Sequence, residues 1–355
     1  MKKITLSLLA VAFLFSCKKD DDTAAVVAPP VGPTYEVPKT FNFDNVNYSG
    51  QTARLDMLDA ITTYIKTANT VGVTLDAQKL KDMFANEPGT AAFNDTTLES
   101  SGKQLKSKCN LLYQTQFEDL FDGIATASGQ TTGGSNGVSG IVMKSDSSKG
   151  YLCNAKGFEY GQLISKGLMG AVFYHSATNG GYLSNLDTDD NVVVTAGKGT
   201  KREHHFDEAF GYFGAPIDFP TTGGRFWAKY AAKTQDLPQK IMDAWLKGRA
   251  AISNKDIAGR TAAVTEIKAL WEKAIVGAAL YYINDAKTYL GNDGSRNHAL
   301  SEAVAFVGCL EHNDSKVITS AEIAKVNSEI GDNLWDVKLA DLNKAEKTLK
   351  DIYGL

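Results

Sequence analysis

Apolar residues recur at intervals of three and four positions along most of the chain, which is the spacing of one helix face. Leu55, Leu58, Ile61 and Ile65 show this spacing within residues 52–68. Alternation of apolar and polar residues, which indicates a half-buried strand, is nearly absent. The sequence therefore predicts an all-α protein, with helices over residues 52–68, 75–85, 112–127, 157–175, 237–252, 254–290, 296–310, 320–330 and 339–353.

Two stretches follow neither period. Residues 128–140 are rich in glycine and polar side chains, and residues 178–200 are irregular. Both halves of the chain also contain a predicted helix with a histidine followed by glutamate and aromatic residues, at 204–213 and at 298–306. Duplication of a helical bundle would produce this similarity between the two halves, and so would chance.

The first 16 residues have the order of a signal peptide. Lys2 and Lys3 precede an apolar run that is too short to span a bilayer of roughly 30 Å. The run ends in Leu14-Phe15-Ser16-Cys17, which matches a lipobox, so the Cys17 thiol is expected to carry lipid. The alternative is an ordinary signal peptide followed by a free cysteine, but Leu14 stands where that cleavage site needs a small residue.

Residues 17–38 are predicted to form the lipid anchor and an extended tether. The Pro/Ala/Val composition of this segment cannot build a core, and prolines 29, 30, 33 and 38 keep it extended. The segment after Cys17, Lys-Lys-Asp-Asp-Asp, resembles the signal that sends Bacteroidota lipoproteins to the outer face of the outer membrane. A solvated tether without such a signal is the alternative. Residues 39–355 then form the predicted helical domain.

Composition excludes some classes of partner. The net charge is -4 and the chain has no basic cluster that would neutralise phosphates, so nucleic acid is not an expected partner. Cys109, Cys153 and Cys309 allow one disulfide at most. Their spacing matches no thiolate metal motif, and buried free thiols are expected for at least one of them.

The densest group of reactive side chains lies at residues 201–213. On a helix, His204 shares a face with Asp207 and Glu208, and His205 shares a face with Glu208. Imidazole and carboxylate at this spacing can hold a transition metal, or can act as a base with its orienting partner. The alternative is a hydrogen-bonded polar cluster at a helix junction. Neither H-E-x-x-H nor a serine nucleophile motif is present.

Other residues are expected to support this site or to pack in the core. Glu203, Tyr212, His298 and Glu302 are candidates for the surroundings of the site or for a cleft. Trp227, after Gly-Gly-Arg-Phe, could line a cleft or belong to the core. His312, near a helix end, is expected to be a solvated cap. Core packing is predicted for the aromatic residues Trp245, Trp271, Tyr281 and Tyr282.

The block Glu-His-His-Phe-Asp-Glu-Ala-Phe-Gly-Tyr-Phe at 203–213 resembles a family of Bacteroidota lipoproteins of unknown function that is grouped with the imelysins. Further similarity lies at Trp271 with the apolar run after it and at 298–303, so the resemblance covers roughly residues 40–353. Imelysins carry G-x-H-x-x-E, and here Glu203 replaces the glycine that would precede His205 and Glu208. The resemblance implies imelysin-like helical bundles, two of them pseudo-repeated around a cleft.

The same resemblance implies a role in iron acquisition. The leading interpretation is a non-catalytic outer-membrane lipoprotein at the cell surface, which binds a transition metal, haem or another metal-linked ligand through His204, His205, Asp207 and Glu208. An outer-membrane transporter is the expected partner. Two alternatives stay open: a metallopeptidase that uses Glu208 as base, with His298 and Glu302 as further ligands, and a protein that captures peptides or glycans through aromatic residues.

Overall fold

Helices make up most of the protein in the computed structural model, which describes residues 34–355. The helical share is 58% against 4% for strands, so the all-α prediction is confirmed apart from one small sheet. The predicted signal peptide, Cys17 and most of the tether lie outside the described residues. Residues 35–355 form one compact unit.

The elements follow one another along the chain as a series of helices interrupted by one hairpin. They are α1 (Ser49–Thr67), α2 (Ala77–Ala85), α3 (Thr96–Glu99), α4 (Gln114–Ser128), β1 (Gly140–Met143), β2 (Gly150–Cys153), α5 (Tyr160–Leu168), α6 (His175–Thr178), α7 (Lys201–Phe213), α8 (Phe226–Ala231), α9 (Leu237–Ser253), α10 (Ile257–Thr288), α11 (Asp293–Cys309), α12 (Ser320–Ile330) and α13 (Leu339–Tyr353).

A π-helical turn at Met169–Tyr174 joins α5 to α6, so the helix predicted over 157–175 is continuous but changes its winding. Every residue of this turn is buried. Gly170 lies so close to α11 that an added Cβ would stand 2.6 Å from the Cys309 sulfur. The absence of a side chain at Gly170 therefore permits the close approach of α11.

The core centres on α10, which packs against α8, α9, α11 and α13. Trp271 of α10 is fully buried, and its ring meets the rings of Tyr174, Phe213, Trp227 and Trp245. The core prediction is thus confirmed for Trp245 and Trp271. It is wrong for Tyr281, which is 42% exposed because it lies on the outer face of α10.

Strands β1 and β2 were not predicted. They pair antiparallel, with Gly140 opposite Cys153 and Met143 opposite Gly150. All four residues of β2 are buried, so the strand shows no alternation of apolar and polar residues. The hairpin packs on the start of α11, where an added Cβ at Gly294 would stand 2.5 Å from the Met143 carbonyl oxygen.

The three cysteines of the described chain, Cys109, Cys153 and Cys309, are buried and free. Burial raises the pKa of Cys109 to about 12, and it also raises the pKa values of the other two thiols. They pack as small apolar groups. Among residues 34–355, no helix is long and apolar enough to cross a bilayer.

His312 is buried at 3% exposure, so the prediction of a solvated cap is wrong. Its backbone carbonyl accepts hydrogen bonds from Thr178 and Asn179, and its ring meets Tyr113 edge to face. Burial, with further contributions from His175 and Lys316, lowers the pKa of His312 to about 3. The imidazole is therefore neutral in the folded protein.

Gly294→Ala should destabilise the protein by about 1–3 kcal/mol, because the new methyl group meets the hairpin backbone, which cannot move aside as a side chain can. Urea denaturation followed by circular dichroism measures this change. The control is Gly291→Ala, whose Cβ meets no atom within 4 Å and should change the free energy of unfolding by less than about 0.5 kcal/mol. Equal effects of the two variants would contradict the close packing.

The pKa of His312 predicts an acid-dependent loss of stability. In the unfolded chain the imidazole binds a proton below about pH 6.5, whereas the folded state does not until about pH 3. The contribution of His312 to stability is therefore fully present above about pH 6.5 and is lost as the pH falls, by up to about 1.4 kcal/mol per pH unit. As the pH is lowered from about 6.5 to about 4, the free energy of unfolding should fall less steeply in His312→Gln than in the wild type. Parallel curves for the two proteins would contradict this.

Candidate functional site

Helix α7 carries the predicted site, and its start is fixed by a capping box. The Thr200 hydroxyl accepts from the Glu203 backbone N–H at 3.2 Å, and a Glu203 carboxylate oxygen accepts from the Thr200 N–H at 2.9 Å. Two otherwise unpaired backbone donors are satisfied in this way. The helix ends at Gly214, whose φ of 81° is the left-handed conformation of a helix C-cap.

One face of α7 is held by a buried arginine of α9. Arg249 is fully buried, with its Nε 2.8 Å from Asp207 Oδ1 and its Nη1 2.8 Å from Glu203 Oε1. It also donates to the Asp44 carbonyl and to the Ser253 hydroxyl. Asp207 is itself fully buried, and burial raises its pKa to about 7. Asp207 and Glu203 thus anchor the helix and are not presented to a ligand.

His204 and Glu208 form the accessible part of the motif. His204 Nε2 lies 3.8 Å from Glu208 Oε2, and the two side chains are 21% and 18% exposed. Gln51 of α1 donates to Glu208 Oε1 at 2.9 Å, which orients the carboxylate. Burial lowers the pKa of His204 and therefore favours the neutral imidazole, the form that binds metals. Within the described chain its Nδ1 makes no hydrogen bond.

His205, unlike His204, is engaged by a carboxylate of the irregular segment 178–200. Its Nδ1 lies 2.6 Å from Asp189 Oδ2, and Asp189, whose side chain is 1% exposed, also pairs with Lys201 at 3.2 Å. The Tyr182 ring meets the imidazole edge to face. His205 therefore fastens the irregular segment 178–200 to α7. Asp189 was not predicted for this role, because a residue in an irregular segment shows no periodicity that would reveal its partner.

Tyr212 and Trp227 belong to the core. Both are fully buried, and the Trp227 indole N–H donates to the Met169 carbonyl at 3.0 Å. Of the two alternatives for Trp227, the core is correct, because this hydrogen bond satisfies the indole in the interior. Its neighbours Arg225 and Phe226 do line a cavity, of about 260 Å³. Within the described chain the Tyr212 hydroxyl makes no hydrogen bond.

His298 and Glu302 of α11 line another cavity, of about 240 Å³, to which α7 contributes no residue. His298 Nδ1 lies 2.5 Å from Glu159 Oε2, and its ring stacks on Tyr151. Glu302 Oε1 lies 3.3 Å from the Lys166 ammonium. The structure thus separates these residues from the α7 motif. Glu159 and Lys166 were not predicted, since both come from the region around α5, far away in sequence.

The structure therefore distributes the predicted residues over five places. Glu203 and Asp207 bind Arg249, His204 and Glu208 form a partly exposed pair, and His205 binds Asp189. Tyr212 and Trp227 lie in the core, and His298 and Glu302 line the cavity beside α11, called the α11 cavity below. Among residues 34–355, no cluster of three or more histidine, cysteine, aspartate or glutamate side chains has the geometry to hold a metal ion. What the α7 motif offers to a ligand is one imidazole and one carboxylate.

A family model described as Domain of unknown function (DUF4856) matches residues 38–355, and the chain belongs to this family. Comparison with curated proteins and with solved structures gave no significant match.

Arg249→Leu should destabilise the protein by about 3–5 kcal/mol, because it leaves the fully buried Asp207 without its cation. The control is Arg225→Leu, which removes a 42% exposed arginine paired with Asp56 and Asp59 and should cost at most about 1 kcal/mol. Urea denaturation of both variants gives the comparison. A loss below about 1 kcal/mol for Arg249→Leu would show that Asp207 is not held as a buried ion pair.

Proposed function

We propose that this protein is a non-catalytic lipoprotein of the cell envelope that binds a ligand for metal, iron or haem uptake. The ligand contacts His204 and Glu208 of α7. The observation that supports the proposal is their geometry: an imidazole and a carboxylate one helical turn apart, 3.8 Å from each other, and each about one-fifth exposed. Both side chains can donate an electron pair to the same metal without a change of backbone.

The small number of donors favours a metal that arrives with other ligands. A bare transition metal in a protein site usually needs three or four protein ligands. Haem iron already has four porphyrin nitrogens, and a histidine is a common axial ligand to it. One imidazole beside one carboxylate therefore suits haem or a chelated iron better than a free ion. His205 and Asp207, predicted as further ligands, are engaged by Asp189 and Arg249, so His204 carries the coordination.

The rest of the proposal depends on the resemblance and on the first residues of the chain. We infer that the helical domain is imelysin-like, with its two pseudo-repeated bundles around a cleft, and that lipid on Cys17 anchors it to the outer membrane at the cell surface. An outer-membrane transporter would then receive the ligand. Labelling of the intact cell with radioactive palmitate, lost in Cys17→Ser, tests the anchor.

The binding test is haem titration by absorption spectroscopy, together with elemental analysis of the purified full-length chain. The wild type should bind haem or a metal complex stoichiometrically. His204→Ala/Glu208→Ala should lose the signal, because both donors are gone while the Arg249 anchor stays intact. For haem, the Soret band should shift on binding as the imidazole coordinates the iron.

The matched control removes an exposed pair at the same spacing elsewhere, Gln239→Ala/Asp243→Ala on α9. It should bind like the wild type. Absence of haem and metal binding by the wild type would reject the proposal. Binding that survives in the double variant would reject this site.

A further inference from the structure

The α11 cavity contains polar groups that the proposed function does not use. It lies between α1, α5, α8 and α11, and its volume of about 240 Å³ equals that of about eight water molecules. The residues that line it include Lys66, Glu159, Gln162, Lys166, Lys229 and Glu302. A solute of monosaccharide size fits this volume.

Two buried acceptors in the lining have no partner. Glu302 is 4% exposed, and while its Oε1 faces Lys166, its Oε2 makes no hydrogen bond with any described residue. Gln162 is 7% exposed, and its Oε1 is likewise without a donor among residues 34–355. A buried polar atom without a partner destabilises the folded state. Because both atoms are buried, a small rotation of each side chain would bring it to donors on a ligand and remove this cost.

The remaining charges of the lining are mostly positive. Lys66, Lys149 and Lys229 are exposed, whereas the Lys166 side chain is only 14% exposed. Four lysines therefore meet only two glutamates, Glu159 and Glu302. The lysines of the lining therefore exceed its glutamates by two charges. An anionic group near the exposed lysines is favoured over a neutral or cationic one.

At Glu302 Oε2, a hydroxyl group of a ligand is a more favourable hydrogen-bond donor than an ammonium group. Lys166 already places its ammonium 3.3 Å from Glu302 Oε1. A second ammonium at Oε2 would stand close to the first and be repelled by it. Neutral hydroxyl groups make the same hydrogen bonds without this repulsion. Tyr230 and Tyr282 complete the wall.

From these features we propose that the α11 cavity binds a sugar acid, a monosaccharide with a carboxylate. Its hydroxyl groups donate to Glu302 Oε2 and Gln162 Oε1, and its carboxylate lies by Lys66 and Lys229. The site is independent of the His204 and Glu208 pair, since no α7 residue lines the cavity.

The test is isothermal titration calorimetry of the full-length chain with glucuronate, glucose and glutamate. Glucuronate should bind, and its affinity should fall as salt is added. Glucose lacks the carboxylate, and glutamate brings an ammonium in place of hydroxyl groups, so both should bind at least about tenfold more weakly. Equal or tighter binding of glucose or glutamate would overturn the assignment to a sugar acid, as would no binding of glucuronate.

Variants then locate the binding. Lys66→Ala/Lys229→Ala changes only exposed side chains and should weaken glucuronate binding by about tenfold or more. Lys240→Ala/Lys247→Ala removes the same charge from exposed positions of α9 and should leave binding unchanged. Glu302→Gln, checked for folding by circular dichroism, should also weaken it. Unchanged affinity in the first variant would overturn the proposal.

Ligand binding at His204 and Glu208 and sugar-acid binding in the α11 cavity are tested independently, so failure of one proposal does not imply failure of the other. His204→Ala/Glu208→Ala should bind glucuronate as the wild type does, because the cavity is left intact. Loss of glucuronate binding in that variant, with its fold unchanged, would overturn the independence of the two sites.

Discussion

Arg249 is a fully buried cation, and its partners decide how α7 is rotated. It binds Glu203 and Asp207, which lie four residues apart and therefore on one face of the helix. A buried charge of this kind is stable only while its partners are held in place, because desolvation costs several kcal/mol. With this face turned to α9, His204 and Glu208 follow about 100° further round the helix and reach the surface. The candidate metal contact thus depends on an ion pair that never meets the ligand.

The neighbours of α7 fix the remaining freedom of the motif. Gln51 of α1 holds one oxygen of Glu208, and Asp189 holds His205. Two adjacent histidines consequently have different tasks, one free to bind and one tying down the segment 178–200. A ligand at this pair would meet a carboxylate that is already oriented, which reduces the entropy that binding costs.

The α11 cavity has another chemistry. Its charges are dominated by lysines, and its unpaired atoms are acceptors of Glu302 and Gln162. The α7 pair offers electron donors to a metal, whereas the cavity offers positive charge and acceptors to a polar solute. A single domain that carries both would recognise two unrelated parts of one ligand, or two ligands.

The sequence by itself determined the helices and much of the core. Apolar spacing predicted α12 and α13 to their last residues, because such periodicity acts within one helix. It also predicted Trp271 as core. It missed β1 and β2, since Gly-Ile-Val-Met and Gly-Tyr-Leu-Cys show no alternation of apolar and polar residues. Only the tertiary structure decided the partners: Asp207 meets Arg249 across 42 positions and His298 meets Glu159 across 139. Helical periodicity reports which side chains share a face, but the packing of whole helices decides what that face meets, and this is why one carboxylate of the motif became an anchor and another stayed open to a ligand.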